Sequence, residues 1–196
     1  MTREKLNKDT VLAHAGNKPR EHQGIVNPPV YRASAILFPS VEELKSSGLR
    51  RFDDVTYGRY GTPTTRALEE AVAAIEGCRR AVTLPSGLAA ITMAVAPFVR
   101  PGDHVLMADN VYEPTRGFAA RFLEPFGVET TFFDPMAPET VPGLIRERTR
   151  VLYLETPGSL TFEVPDIAAL AAPARERGLL VVVDNTWATG LHFRPL

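Results

Sequence analysis

Short apolar runs alternate with amphipathic stretches from residue 62 to the end of the chain. A short apolar run between turn-forming residues indicates a buried strand, and apolar residues that recur at helical spacing indicate a helix. The stretch after Pro63 shows the helical spacing, and Gly77 ends it. The predicted strands are 81–84, 104–108, 129–133, 151–154 and 179–183, and the predicted helices are 63–76, 88–99, 113–126, 139–148 and 167–177.

This alternation of strands and helices predicts an α/β fold with a mostly parallel sheet. The run Leu179–Val183 is apolar at every position, which indicates a strand that helices cover on both faces. We therefore expect a doubly wound sheet with helices on both faces. Because such sheets bind ligands at the carboxyl ends of their strands, the residues that follow the strands are the first candidates for a site.

The first part of the chain lacks this regular pattern. It contains proline-rich turns and charged positions, and only residues 40–45 predict a helix, with Ser40 as its cap. We interpret residues 1–61 as an arm that packs on something else, typically a neighbouring subunit, and residues 62–196 as the large domain. The chain ends without a closing helix, so we expect that domain to be incomplete at its C-terminal end.

Composition narrows the class of protein. The 196 residues carry 22 basic and 23 acidic side chains, so no strong overall field attracts nucleic acid or an anionic membrane. The N-terminus lacks the apolar core of a signal peptide, no apolar run has membrane-spanning length, and a single cysteine excludes an internal disulfide. We therefore expect a cytoplasmic protein. We also expect no metal site, because the four histidines, including His104, are scattered surface or loop residues.

Three strand ends carry candidate binding chemistry. Ser86 and Gly87 follow the first predicted strand, where backbone N–H groups at a helix start form a phosphate cradle; a plain N-cap by Ser86 is the alternative. Asp184 ends the most hydrophobic strand, where a carboxylate needs a cation or a donor; the alternatives are capping of the next segment and a metal ligand, and the second is disfavoured because no His, Cys or carboxylate cluster accompanies it. Tyr112 also follows a strand and either stacks on a planar cofactor or packs under a loop.

The arm holds a further candidate in residues 57–63, which combine phenols, a guanidinium and two glycines. Arg59 suits bidentate binding of a phosphate, and Tyr57 lies two positions before it. A solvated turn is the alternative interpretation of this stretch. No G-x-G-x-x-G or Walker loop follows the first predicted strand, which disfavours a plain nucleotide-binding domain.

Several segments match a known family in their order and spacing. They are 27–31, 57–64, 85–90, 101–106, 112–114, 155–159 and 183–188. Together they resemble the Cys/Met-metabolism (transsulfuration) family of pyridoxal-phosphate (PLP) enzymes over essentially the whole chain. The resemblance implies PLP as the cofactor and the large domain of the PLP-dependent transferases of fold type I, which is similar to that of aspartate aminotransferase.

The resemblance also implies how the phosphate of PLP is held. Gly87 and Leu88, after Ser86, offer their backbone N–H groups to it. Tyr57 and Arg59 bind the phosphate of the neighbouring subunit's cofactor, which would explain an arm without a core of its own.

The ring of the cofactor has its own implied partners. Tyr112 stacks on the pyridine ring and helps to position or deprotonate the substrate, so it is the candidate catalytic residue. Asp184 pairs with the ring nitrogen. Thr186, Asn185 and Ser159 lie nearby.

Within the family, the segments 184–188 and 155–159 resemble the cystathionine β-lyase subfamily. This implies a PLP-dependent carbon–sulfur lyase that acts on a sulfur amino acid, cleaving cystathionine by β-elimination to homocysteine, pyruvate and ammonia. It also implies a homo-oligomer, a tetramer built from dimers. A γ-synthase, γ-lyase or sulfhydrylase of the same family is the alternative.

One feature of the family has no counterpart in the chain. The family's Schiff-base lysine lies one strand beyond Asp184, and the substrate-carboxylate arginine lies in a further domain. We therefore expect the chain alone to show no lyase activity. The alternative to the lyase function is a non-catalytic fragment that binds PLP weakly or only within an oligomer. The lysines of this chain all lie in the arm, at Lys5, Lys8, Lys18 and Lys45.

Overall fold

The structure is a computed structural model that describes residues 6–196. Its contacts divide the chain into two compact units, one up to Thr83 together with Leu196 and the other at Leu84–Pro195. The helix predicted at 63–76 belongs to the first unit, although the sequence pattern groups it with the large domain. The functional division of the chain at residue 61 stays a prediction.

The described part of the first unit contains three α-helices joined by irregular segments and short 3₁₀ turns. Helix α1 spans Lys8–His14, α2 spans Val41–Ser46 and α3 spans Pro63–Glu76. None of the apolar side chains described in this unit is fully buried. The unit therefore has no hydrophobic core of its own among these residues, and α1, which the sequence pattern does not predict, is amphipathic only weakly.

Local sequence explains where α3 begins and ends. Thr62 and Thr65 form a capping box, in which the Thr62 N–H donates to Thr65 Oγ1 at 2.8 Å. Pro63 occupies the first turn, where its missing N–H costs nothing. Gly77 ends the helix in the left-handed conformation, with a φ of 75°. The prediction of this helix is confirmed, as is that of α2, which Ser40 caps.

The predicted strand at 81–84 is wrong. These residues are irregular and mostly exposed. The N–H and the hydroxyl of Thr83 both donate to Glu69 Oε1, at 3.0 Å and 3.0 Å. Because a side chain of α3 takes this backbone donor, the segment is bound to a helix and not to a strand ladder.

The second unit is built on a four-stranded sheet whose paired strands are all parallel. The order of the strands across the sheet is β2-β1-β3-β4. The strands are β1 at His104–Ala108, β2 at Glu129–Phe133, β3 at Thr149–Glu155 and β4 at Leu180–Asp184. The helices are α4 at Gly87–Val95, α5 at Glu113–Phe118, which continues into a π-helical turn at Ala119–Leu123, α6 at Val141–Leu144, α7 at Ile167–Glu176 and α8 at Thr189–His192.

The sheet is wound in two directions from β1. The chain passes from β1 to β2 on one side, and then to β3 and β4 on the other side. Because crossovers between parallel strands are right-handed, connections in opposite directions place their helices on opposite faces of the sheet. The predicted α/β fold is confirmed. The winding reverses between β1 and β3, and such a switch point is where open α/β sheets bind ligands.

The core of this unit surrounds the two central strands. Every residue of β1 is buried, and in β3 only Arg150 is exposed. In contrast, every residue of β4 is half-buried, although its apolar sequence predicts burial on both faces. The reason is its position, since β4 lies at the edge of the described sheet and pairs with β3.

The sequence predicts His104 to be a surface or loop residue, but the structure places it at the start of β1 and buries it. His104 is 2% exposed, its Nδ1 lies 2.8 Å from Thr149 Oγ1, and its Nε2 lies 2.9 Å from Thr131 Oγ1. Burial, together with the positive charge of Arg146, lowers the pKa of this imidazole. The neutral ring therefore links the first residues of β1 and β3 to the third residue of β2.

Membrane-spanning helices, metal sites and cysteines bear on the class of protein. In the part of the chain that the structure describes, no helix has both the length and the apolar character needed to cross a membrane. Within the same residues, no group of three or more His, Cys, Asp or Glu side chains is arranged to hold a metal ion. Cys78 is a free, half-buried thiol.

Candidate active site

The candidate site lies where β1, β3 and β4 end. Because the three strands are parallel and adjacent, the segments that follow them meet at one edge of the sheet. These segments are 109–112 after β1, 156–159 after β3 and 185–187 after β4. Tyr112 and Asp184, which the sequence singles out separately, thus lie on the same edge.

Tyr112 combines a fixed backbone with an accessible ring. It is the residue before α5, and its N–H donates to Glu155 Oε2 at 2.8 Å. Its side chain is 48% exposed, so a flat group can cover the ring. Packing under a loop, the alternative for this tyrosine, does not occur among the described residues.

Glu155 is a residue of this site that the sequence analysis missed as a functional candidate. It is the last residue of β3, it is 6% exposed, and it is the register partner of Asp184 on β4. The pKa of its carboxyl group is raised to about 7, mainly by burial and also by the negative charge of Asp184, while the hydrogen bond from the Tyr112 N–H opposes the rise. The sequence signal that could have identified Glu155 is an acidic residue directly after the apolar run 151–154.

Asp184 is held by the residues around it. Its Oδ1 accepts the Thr186 N–H at 3.1 Å and the Thr186 hydroxyl at 2.6 Å, and its backbone oxygen accepts the Thr156 N–H at 3.2 Å. Both side-chain bonds use Oδ1, so neither uses Oδ2. The predicted neighbours Asp184 and Thr186 are therefore brought together, with Thr186 acting as a donor to the carboxylate.

A buried tyrosine lies close to these two acids and was also missed. Tyr153 is 1% exposed and lies on β3 two residues before Glu155. Burial raises the pKa of its phenol, and the negative charges of Asp184 and Glu155 raise it further. The phenol therefore stays protonated.

The start of α4 has the features of a phosphate cradle. Ser86 caps the helix, with its Oγ accepting the Ala89 N–H at 3.1 Å, and a phosphate cradle at this helix start stays a prediction. The N–H groups of the first turn, which include those of Gly87 and Leu88, have no partner within the helix itself. No atom lies within 4 Å of the position that a Cβ on Gly87 would take, so the space beside it is open. Helix α4 packs against α5 and β4, which carry the other candidate residues.

The loops after β1 and β3 are locked together. The Ser159 N–H donates to the Asn110 backbone oxygen at 2.8 Å, and Gly158 lies so close to Asn110 that a Cβ there would meet its Nδ2 at 2.4 Å. Asn110 is 4% exposed, and neither atom of its amide has a partner among the described residues. Asn185 turns away, since its Nδ2 donates to the Phe193 backbone oxygen at 2.9 Å.

The remaining candidates lie in the first unit, in the 3₁₀ turn Gly58–Tyr60 and next to it. The guanidinium of Arg59 lies over the rings of Tyr57 and Tyr60, at 5.4 Å and 5.5 Å from their centres. Tyr57 is 38% exposed. The pair therefore presents a cation and a phenol at the surface of this unit, and their action in a neighbouring subunit's site stays a prediction.

Comparison with known proteins decides the family. The model of the Cys/Met metabolism PLP-dependent enzymes matches residues 9–196. The chain belongs to this family. PLP is therefore the cofactor of the family to which these residues belong.

Three similar proteins show how far the likeness extends. A putative cystathionine beta-lyase of Rhizobium johnstonii is 45% identical over 188 residues, which are 96% of this chain and 46% of that protein. An L-alanine/L-glutamate racemase of Wolbachia pipientis is 39% identical over 97% of this chain and 49% of its own length. The crystal structure of metB from Corynebacterium glutamicum has a TM-score of 0.88 at 30% identity, covering 97% of this chain and 48% of that one. The chain spans about half the length of the curated relatives it matches.

The described residues fit PLP at three points. The open space at Gly87 suits the phosphate, the exposed ring of Tyr112 suits the pyridine face, and the carboxyl group of Asp184 at the end of β4 suits a protonated ring nitrogen. All three positions lie in the second unit. That unit contains no lysine, so it supplies no amine for a covalent bond to the cofactor.

Proposed function

We propose that the protein containing this chain is a carbon–sulfur lyase that cleaves cystathionine by β-elimination, giving homocysteine, pyruvate and ammonia. The observation that carries the proposal is the meeting of Tyr112, Glu155 and Asp184 at the switch point of a PLP-family sheet. The 45% identity to a putative cystathionine beta-lyase favours this reaction among those of the family.

The residues of the chain divide the work of binding. The N–H groups of Gly87 and Leu88, on a helix that Ser86 caps, bind the phosphate at the positive end of α4. Tyr57 and Arg59 bind the phosphate in the neighbouring subunit's site, because a guanidinium matches phosphate geometry.

The remaining residues act at the reacting atoms. The chemistry that PLP supplies when bound is an electron sink for the charge that develops at the substrate Cα. Asp184, whose Oδ1 accepts two hydrogen bonds from Thr186, would pair with the protonated ring nitrogen. Tyr112 packs its exposed ring on the cofactor and uses its phenol to orient the substrate or accept a proton. Transfer of the Cα proton to the leaving sulfur needs a group that first accepts this proton and then donates it. The second unit contains no lysine for this role.

We further propose that the protein works as a homotetramer built from dimers in the cytoplasm, with a sulfur amino acid as its substrate. The exposed Tyr57 and Arg59 pair lies on a unit whose described residues include no buried apolar side chain, which supports the sharing of sites between subunits. The tetramer and the cytoplasmic location stay predictions.

The test compares products. The complete gene product that contains this chain is incubated with cystathionine and PLP, and the keto acid is identified. We expect pyruvate; 2-oxobutyrate in its place would contradict the proposal and indicate a γ-acting enzyme. The relative named as a racemase favours a second candidate, which interconversion of L- and D-alanine by the same preparation would reveal.

The isolated 196-residue chain is the matched control in this experiment. We expect it to release no pyruvate, because its lysines lie in the first unit, where Lys18 pairs with Glu70 at 2.8 Å. Lys5 lies outside the described residues. Turnover of cystathionine by this chain would show that no lysine beyond Asp184 is needed.

A further inference from the structure

Glu155 is a buried acid to which the roles above assign no task. Its Oε2 accepts the Tyr112 N–H at 2.8 Å, although the two residues are 43 positions apart in the sequence. Tyr112 lies in the segment after β1, and Glu155 is the last residue of β3; the winding of the sheet reverses between these two strands. The hydrogen bond therefore fixes the backbone that carries the exposed ring of Tyr112.

Glu155 is also one of a pair of carboxyl groups. It is the register partner of Asp184, and partners on neighbouring parallel strands point to the same face with backbones about 5 Å apart. The titratable groups that face it are Asp184 on β4 and Tyr153 on its own strand, and the loop after β1 contributes the N–H of Tyr112. Two carboxyl groups this close resist ionising together.

The two carboxyl groups differ in their surroundings. Asp184 receives two donors from Thr186, whereas Glu155 is 6% exposed and receives one backbone N–H. Burial and the negative charge of Asp184 together raise the pKa of Glu155 to about 7. Near neutral pH, a change in the local charge therefore shifts the proton of Glu155.

We propose that Glu155 is a positioning residue of the cofactor site, which fixes the backbone of Tyr112 and forms with Asp184 a carboxyl pair that takes on its second negative charge when a cation binds. The inference rests on the proposed function, because the cation is the protonated ring nitrogen at Asp184. A positive charge there favours the ionised Glu155. Linkage then requires that the cofactor binds more tightly above the pKa of Glu155 than below it.

The experiment measures PLP affinity from its absorbance in the complete gene product after the cofactor has been removed. Titrations are run at about pH 5.5 and about pH 8.5, on either side of the Glu155 pKa. The variants are Glu155→Gln, which keeps an acceptor for the Tyr112 N–H, and Glu155→Ala, which removes it. Glu147→Gln is the matched control, because it removes the same charge from an exposed position just before the other end of β3.

We expect Glu155→Gln to bind PLP like the wild type at the lower pH and about fivefold to tenfold more weakly at the higher pH, where it cannot ionise. Glu155→Ala binds more weakly at both pH values, because the Tyr112 N–H loses its acceptor and the loop loosens. Glu147→Gln follows the wild type throughout. Rescue of the alanine defect by glutamine at the lower pH separates positioning from a general loss of packing.

Other outcomes are equally decisive. If the wild type binds PLP and the two Glu155 variants show its affinity and pH dependence unchanged, the inference is wrong and the proposed function stands. If Glu155→Gln is as weak as Glu155→Ala at the lower pH, the positioning role is wrong. A wild type that binds no PLP contradicts the proposed function itself.

Discussion

At the scale of single residues, the site depends on close approach as much as on charge. Gly158 follows β3 in the loop that contacts the loop after β1, and a Cβ on it would meet Asn110 Nδ2 at 2.4 Å and Thr161 Oγ1 at 2.7 Å. Asn110 is buried, so it has little room to move. The family resemblance names Ser159 beside this glycine, but the tight contact belongs to Gly158.

Gly158→Ala should therefore destabilise the protein by about 1–3 kcal/mol, because the new methyl group overpacks a buried contact. The free energy of unfolding by urea measures the effect. Gly143→Ala is the control, since nothing lies within 4 Å of its Cβ position and it lies in α6. We expect that change to be neutral or stabilising by about 0.5–1 kcal/mol. Equal effects of the two substitutions would show that the two loops are not tightly packed.

At the scale of elements, the carboxyl ends and the amino ends of the strands have different roles, and they form two opposite edges of the sheet. The edge where the strands end carries Tyr112, Glu155 and Asp184. The opposite edge, where the strands begin, is joined by His104, which contacts threonines on both neighbouring strands. The ring replaces water as the partner of these hydroxyl groups, so it holds the register from which the functional edge is built.

His104→Ala should cost about 2–4 kcal/mol of stability near pH 7.5, because it leaves a cavity and removes two buried hydrogen bonds to Thr149 and Thr131. The pKa of His104 is lowered in the folded state, so the stability it contributes is present above its ordinary pKa of 6.5 and is lost as the pH falls through the lowered value. The difference between wild type and variant should thus shrink in acid, which urea titrations at several pH values measure. The exposed His192, replaced by alanine, is the control; a difference that does not change with pH would contradict a neutral buried imidazole.

At the scale of the whole molecule, the candidate residues are divided between two units. Tyr57 and Arg59 lie in the first, and the residues from Ser86 to Thr186 lie in the second. The first unit has no fully buried apolar side chain among its described residues, which is the property expected of a segment that packs on another subunit. If sites are shared in this way, each functional site combines residues of two chains.

Co-expression of two inactive forms of the complete gene product tests this. One carries Arg59→Ala and the other Asp184→Asn. In a mixed dimer, one site receives both native residues and the other receives neither. Random pairing makes half of the dimers mixed, so we expect cystathionine cleavage at about a quarter of the wild-type rate. Each variant expressed alone is the control, and a co-expressed sample no more active than these controls would show that the sites are not shared.

The sequence by itself determined helix α3, the four strands and part of the chemistry. Helix α3 follows from Pro63 and Gly77, the four strands of the sheet follow from their apolar runs, and Asp184 stands out because a carboxylate ends such a run. These signals are local, so periodicity and residue type are sufficient to find them. The same reasoning failed at 81–84, where an equally apolar run binds the side chain of Glu69.

Only the tertiary structure decided what lies beside each strand end. Glu155 contacts Tyr112 because β3 pairs with β1, and it neighbours Asp184 because β3 also pairs with β4. Strand order depends on contacts between segments far apart in the chain, and a run of apolar residues does not encode its neighbours. The pairing of a buried acid with the backbone of Tyr112, and the neutral His104 at the opposite edge, are therefore products of the fold.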